Sequence, residues 1–173
     1  MLKQQIAANL EQTFSELGFA EPSVAQLKDA SGVSLRTLYK HYPSKEDMIV
    51  AALEHRHQRY LDYLLDGSPE SGQAAITHAF NRLGLWMANY APNGCMSVNA
   101  IAAFPEHDLI GLVVKNHKEN VRQFLGKHSS RQDLATELFL LHEGVSSAWP
   151  VLGSDAITSA QHAVSTLLSK GSL

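Results

Sequence analysis

Apolar residues recur along this chain at helical spacing, not in the alternation of a strand. In the first segment Ile6, Leu10, Phe14 and Leu17 stand three or four apart, which puts them on one face of a helix over about residues 2–18. Val24, Leu27 and Ala30 repeat the spacing in a short helix over about 24–31, with Ser23 after Pro22 as its N-cap. Gly32 suits the left-handed turn that ends it, Ser34 caps the next helix, and Leu35 and Leu38 point inward from that helix over about 35–41. Pro43 stops this third helix, and Ser44 followed by Glu46 and Asp47 starts a fourth over about 45–65, with acids in its positive first turn. Only a turn fits between the second and third helices. Two short helices so joined are a helix-turn-helix, which makes DNA the leading partner.

The helical pattern continues after a break at Asp66-Gly67-Ser68-Pro69. Ile76, Phe80, Leu83, Met87 and Tyr90 form one stripe that ends at Pro92-Asn93-Gly94. A short helix from about Met96 to Phe104, stopped by Pro105, leads to another that carries Ile110, Val114, His117, Val121 and Phe124 on one face. The last two helices are expected over about Arg131 to Trp149 and Asp155 to Ser169, separated by Pro150 and Gly153. No strand pattern or repeat intervenes, so the expected fold is all-α with about nine helices. The division expected is a DNA-binding domain over 1–46 and a ligand-binding and dimerisation domain over 47–173. The final pair is apolar around too much of its circumference for a single buried stripe. One face can serve the protomer and another a second copy, with Leu138, Leu141, Val145, Ile157, Ala160, Val164, Leu167 and Leu168 as candidate dimer-interface residues.

Composition narrows the class. The chain has 173 residues, 45% of them hydrophobic, enough for a real core. Met1 leads into Lys3, Gln4 and Gln5 without an apolar signal region, and no stretch approaches the roughly 20 apolar residues of a membrane helix, so a cytoplasmic location away from membranes is expected. The single cysteine, Cys95, has no partner for an intrachain disulfide. A net charge of −3 does not advertise a nucleic-acid binder, but its distribution leaves room for a small basic face. Between Val33 and Lys45 the charged residues are Arg36, Lys40 and Lys45, with no acid among them.

Gly32-Val33-Ser34, Thr37-Leu38-Tyr39, His41-Tyr42 and Ser44-Lys45-Glu46, in register with Ile6-Ala7-Ala8, Phe14 and Gly18-Phe19, resemble the tetracycline-repressor (TetR) family of bacterial transcription regulators. The resemblance covers about residues 6 to 53 and extends weakly beyond. It implies a homodimer built on a four-helix bundle, a palindromic DNA operator, and a small-molecule effector that, most often in this family, releases a repressor. The chain departs from the family in having Ala25 where a basic residue is often placed, and in lacking a basic arm before the first helix.

The third helix is the one expected to enter the major groove. Arg36 and Lys40, four apart, can each donate to guanine O6 and N7, and Gln26 on the preceding helix can reach an adenine or a phosphate. Ser23, Ser34, Leu35, Thr37, Tyr39, His41 and Lys45 complete the candidate contact set. Their hydroxyls, imidazole and ammonium suit phosphate oxygens, which position the protein rather than specify sequence, and Lys45 stands at a helix amino end that also attracts anions.

In the larger part, Trp86, Tyr90, Phe104, Phe124, Phe139 and Trp149 offer an aromatic lining for an effector, with Asn99, His117 and His142 as polar groups expected to point inward. Ordinary core packing gives the same pattern. Gly94-Cys95-Met96, with Asn99 and Phe104-Pro105, resembles a segment of family members that sense electrophiles through a cysteine. A thiol at a helix start is favoured as thiolate, and His117 is a candidate to stabilise it further. Packing at a tight helix entrance is the alternative role for Cys95.

Nine histidines raise the question of a metal or catalytic site. No two stand three or four apart, and Glu54 with His57 is a single Glu-x-x-His where a di-iron bundle uses two. His55 and His57 are expected to face solvent or DNA. No phosphate loop, nucleophile elbow or zinc pattern is present. The sequence therefore points to no metal, cofactor or catalytic residue, and the competing reading is a small-molecule-binding helical module with no DNA role.

Overall fold

The computed structural model describes residues 1–169. Among the described residues there are nine α-helices, one 3-10 turn and no strand. The helices are α1 (Leu2–Leu17), α2 (Val24–Ser31), α3 (Leu35–His41), α4 (Lys45–Leu65), α5 (Gln73–Tyr90), α6 (Met96–Ala103), α7 (Asp108–Ser129), α8 (Ala135–Leu152) and α9 (Ser154–Ser169), with the 3-10 turn at Gln132–Leu134.

The local signals in the first four helices act as the sequence suggests. Ser23 accepts from the Gln26 amide while the Gln26 side chain accepts from the Ser23 amide, a reciprocal capping box that starts α2. Gly32 ends α2 with φ 71°, a left-handed backbone that costs glycine nothing. Ser34 then accepts from the Thr37 amide at 3.1 Å to start α3. Ser44 and Asp47 form a second reciprocal pair at the head of α4.

The described residues form two compact units, 1–59 with 96–117, and 60–95 with 118–169. In the first, one apolar cluster joins Ile6, Leu10 and Phe14 of α1, Leu27 of α2, Leu38 of α3, and Met48, Ile49, Ala52 and Leu53 of α4. Met96, Ala100, Ile110 and Val114 belong to the same cluster. In the second, Tyr60 and Leu64 from the end of α4 share a cluster with Ile76, Phe80 and Leu83 of α5, Val121 and Leu125 of α7, Leu138 and Val145 of α8, and Ala160 and Val164 of α9. Helix α4 thus contributes to both clusters.

Two expectations are corrected here. Pro150 does not end its helix: α8 continues to Leu152 and stops at Gly153. A proline near a helix carboxyl end removes one amide, so only the bond to the Ser146 carbonyl is lost, and its fixed φ is already helical. Leu35 does not point inward. It is 45% exposed, because α3 turns its face around Leu38, which is fully buried. In the second unit α7 approaches α8 so closely that a Cβ on Gly126 would lie 2.7 Å from that of Ala135, a distance only glycine permits.

Candidate functional site

Burial of Leu38 and Tyr42 decides which side of α3 remains open. Leu38 sits in the first core, and Tyr42 donates its hydroxyl to the Lys3 carbonyl at 2.9 Å, tying the end of α3 to the start of α1. The opposite face presents Ser34, Leu35, Arg36, Tyr39 and Lys40, all exposed, with Thr37 and His41 half-buried beside them. Two cations one helical turn apart on an exposed, capped helix, with no acid on it, form a surface that can face phosphates and guanine edges.

Several candidate contacts are already engaged within the protein. The Gln26 carbonyl oxygen accepts from both the amide and the hydroxyl of Ser23 at 2.9 Å, so bidentate adenine readout by Gln26 requires opening the cap. Ser34 and Thr37 pair their hydroxyls at 2.9 Å. Lys45 donates to the Ala20 carbonyl at 3.1 Å. The Asp47 carboxylate takes the Ser44 amide at 3.1 Å, so the amino end of α4 has an anion of its own.

In the second unit a chain of polar side chains runs through the protein. The Tyr60 hydroxyl lies 2.6 Å from His142 Nε2, and His142 Nδ1 lies 3.0 Å from Glu143. Lys118 donates to both Glu143 oxygens, at 2.9 and 2.6 Å, and to Cys95 Sγ at 3.4 Å. One assignment satisfies every member: Tyr60 donates to Nε2 of a neutral His142, whose Nδ1–H donates to the Glu143 carboxylate. The titration behaviour agrees. Burial pushes His142 below its ordinary value, outweighing the Glu143 carboxylate that favours its protonation. Burial alone would raise Glu143, but the His142 hydrogen bond and the Lys118 charge hold it down at about 2. Burial raises Tyr60 well above 10, with Cys95 and Glu143 adding to the effect. For Lys118, burial is outweighed by Cys95 and Glu143, which keep it protonated.

These shifts predict acid sensitivity of one sign. The unfolded chain protonates His142 near its ordinary 6.5, whereas the folded chain resists, so stability is full above that value and falls as pH drops below it. Glu143 adds a second loss as pH falls from its ordinary 4.5 through about 2. Chemical denaturation of His142→Gln is expected to show a shallower loss of stability between these two ordinary values than the parent. Identical slopes would contradict the neutral assignment.

The other candidate residues divide between the units. Asn99 is exposed on α6, not inward, because α6 buries Met96 and Ala100 and Asn99 lies off that face. Phe104 packs partly buried on the first cluster, and His117 stacks on His57 with ring centres 4.1 Å apart. Trp86 is buried in the second cluster and touches Tyr60 and Tyr90, each at 4.9 Å between ring centres. Phe124, Phe139 and Trp149 pack partly buried on that cluster. The cation at the Cys95 sulfur is Lys118, one residue beyond the expected His117.

His55 and His57 are not turned to solvent or DNA as expected. His55 pairs with Glu11 at 2.6 Å, and His57 forms the stack with His117, because α4 is packed on both of the sides that carry them, against α1 and against α7. Four of the expected dimer-interface residues, Leu138, Val145, Ala160 and Val164, lie in the protomer's own core. They repeat at the spacing of the buried stripe, so a partner cannot reach them. Leu141, Ile157, Leu167 and Leu168 are half-buried, and Leu140 and Val151 are 63% and 86% exposed.

Sequence reasoning missed Glu11, Tyr60, Lys118 and Glu143. Glu11 left a readable trace, since it falls between Ala7 and Phe14 at helical spacing, within the apolar stripe. Of the polar chain, His142 and Cys95 were singled out, but nothing in the sequence joined them to Glu143 or to Tyr60 and Lys118, which lie on other segments.

Residues 7–52 match the model of bacterial regulatory proteins of the tetR family. No curated protein sequence matches the chain. Among solved structures, a TetR-family transcriptional regulator from Streptomyces coelicolor is similar with a TM-score of 0.82 at 18% identity, over 98% of this chain and 91% of that one. A TetR transcriptional regulator from Legionella pneumophila is similar at 0.74 and 20% identity, covering 95% of each chain. NemR of E. coli in its reduced form is similar at 0.77 and 19% identity, covering 97% of each. At these identities the structural likeness speaks to the fold.

Proposed function

We propose that the chain, whose residues 7–52 match the tetR-family model, is a DNA-binding transcriptional regulator that binds a palindromic operator as a homodimer and is released by a small molecule, as a repressor. The observation that carries this reading is the exposed face of α3, where Arg36 and Lys40 stand free of acids while Leu38 anchors the helix from behind. Two such faces in a dimer would meet successive major grooves about 34 Å apart. Functionally, residues 1–46 read DNA and residues 47–173 sense and dimerise, in the cytoplasm. Among the described residues no helix is long and apolar enough to cross a membrane. The exposed Leu140 and Val151 on α8, with half-buried Leu141, Ile157 and Leu168 beside them, supply the apolar face that α8 and α9 offer a partner.

Arg36 is assigned to base readout and Lys45 to phosphate. Arg36→Ala is expected to relax preference at one base position by about 1–3 kcal/mol, whereas Lys45→Ala weakens all sequences alike. Binding measured over a panel of single-base operator variants separates the two. A uniform loss from Arg36→Ala would contradict its role.

For the effector, the two alternatives are an electrophile that reacts at Cys95, whose sulfur accepts from Lys118 at 3.4 Å, and an apolar or aromatic ligand. Addition of that sulfur to an enone would form a C–S bond, pass the π electrons towards the carbonyl and take up one proton. Cys95→Ser is expected to bind the operator as tightly as the parent but to resist release by quinones. Release at the parental quinone concentration would exclude the cysteine and leave an apolar or aromatic ligand.

A further inference from the structure

Glu11 is a carboxylate on the buried side of α1, its side chain only 5% exposed. Its oxygens are shared among three groups from little more than one turn of α4. Oε2 lies 2.6 Å from His55 Nδ1, while Oε1 accepts from Arg56 at 3.1 Å and Arg59 at 2.5 Å. Arg56 is itself buried. Desolvating such a cluster is costly, and well-packed apolar side chains in its place commonly serve stability as well or better. What the cluster adds is direction. The apolar contacts that α1 and α4 share through Ile6, Leu10, Ile49 and Leu53 are non-directional and tolerate small rotations. Three contacts converging on one carboxylate tolerate far less, because hydrogen bonds weaken steeply with angle.

The location gives that rigidity a use. Arg59 is the last residue of α4 in the first unit, and Tyr60, the next residue, begins the second unit and reaches His142. One continuous helix therefore carries, on adjacent residues, an anchor to α1 and an anchor to α8. We infer that Glu11 is a positioning residue for operator recognition: by fixing α1 on α4 it sets the presentation of α3 and so the half-site spacing that a dimer accepts. The inference rests on the palindromic, dimeric reading proposed above.

The test uses the full chain and duplexes bearing two copies of the selected half-site at the preferred spacing, one base pair closer and one base pair further apart, beside an isolated half-site. The double variant Glu11→Met, Arg56→Met replaces the buried charges with apolar side chains of similar length. It is expected to keep the parental unfolding midpoint and half-site binding, to lose roughly tenfold at the preferred spacing, and to bind the neighbouring spacings about equally well. An unchanged spacing profile, or an equal loss on half-site and palindrome, would overturn the assignment. Should the double variant fail to fold, Glu11→Asp keeps the charge and withdraws it by one methylene. A displaced or broadened spacing preference then supports the role, and the parental profile overturns it. The parent measured on the same duplexes separates the two ideas. No preferred palindrome at all defeats both, while a preferred palindrome with unchanged variants defeats only the part given to Glu11.

Discussion

Phe14→Ala is expected to lower the unfolding free energy by about 3–5 kcal/mol and to abolish DNA binding of every sequence together. Phe14 is 1% exposed and stacks on Phe19 with ring centres 5.2 Å apart, holding the chain segment between α1 and α2 against the first core. Removing the ring leaves a cavity lined by side chains from α1, α2 and α4 that their helices cannot close without shifting. The motif helices are only eight and seven residues long, too short to persist without this support. Urea titration followed by circular dichroism measures the cost. A loss below about 1 kcal/mol would show that α1 is not what supports the motif.

Phe80→Ala carries a similar expected cost, about 3–5 kcal/mol, in the other core. Phe80 is fully enclosed on α5 among Tyr60, Leu83, Leu138 and Val164, and one turn later Gly84 lets α5 approach α9 until a Cβ there would lie 3.0 Å from Ile157. The cavity therefore undermines the seating of α9, one of the two helices assigned to dimerisation. Beyond the drop in denaturation midpoint, this variant is expected to lose affinity for a full palindrome more than for a single half-site. Sedimentation should show a monomer at concentrations where the parent is a dimer. Equal losses on both DNA forms would separate this core from the dimer face.

These two phenylalanines also show what the sequence discloses. Phe14 and Phe80 sit in stripes with clean helical spacing, and the helix boundaries around them follow from Ser23, Gly32, Ser34 and Pro43, whose effects are local and therefore written where they act. The exposed face of α3 was legible for the same reason: Arg36 and Lys40 are four apart on a helix whose caps are explicit. Leu35 shows the limit, since a helix of seven residues does not reveal from periodicity which of two leucines turns inward. Pro150 shows another, because a proline's effect depends on how much helix remains after it. The chain from Tyr60 through His142, Glu143 and Lys118 to Cys95 was illegible, since its members lie up to 83 positions apart (143 − 60) and meet only when four segments pack. The apolar face proposed for dimerisation was half legible. Apolar residues surround α8 and α9, but only packing shows that Leu138 is taken by the protomer while Leu140 is left outside.

Sequence-specific recognition by α3 is tested by selecting bound duplexes from a random pool with the purified chain at low and high salt. One palindrome is expected to be enriched and to survive the higher salt, since base contacts persist where phosphate attraction is weakened. Binding that vanishes uniformly with salt, or a pool in which no sequence is enriched at either concentration, would contradict it and favour a helical small-molecule-binding module with no operator.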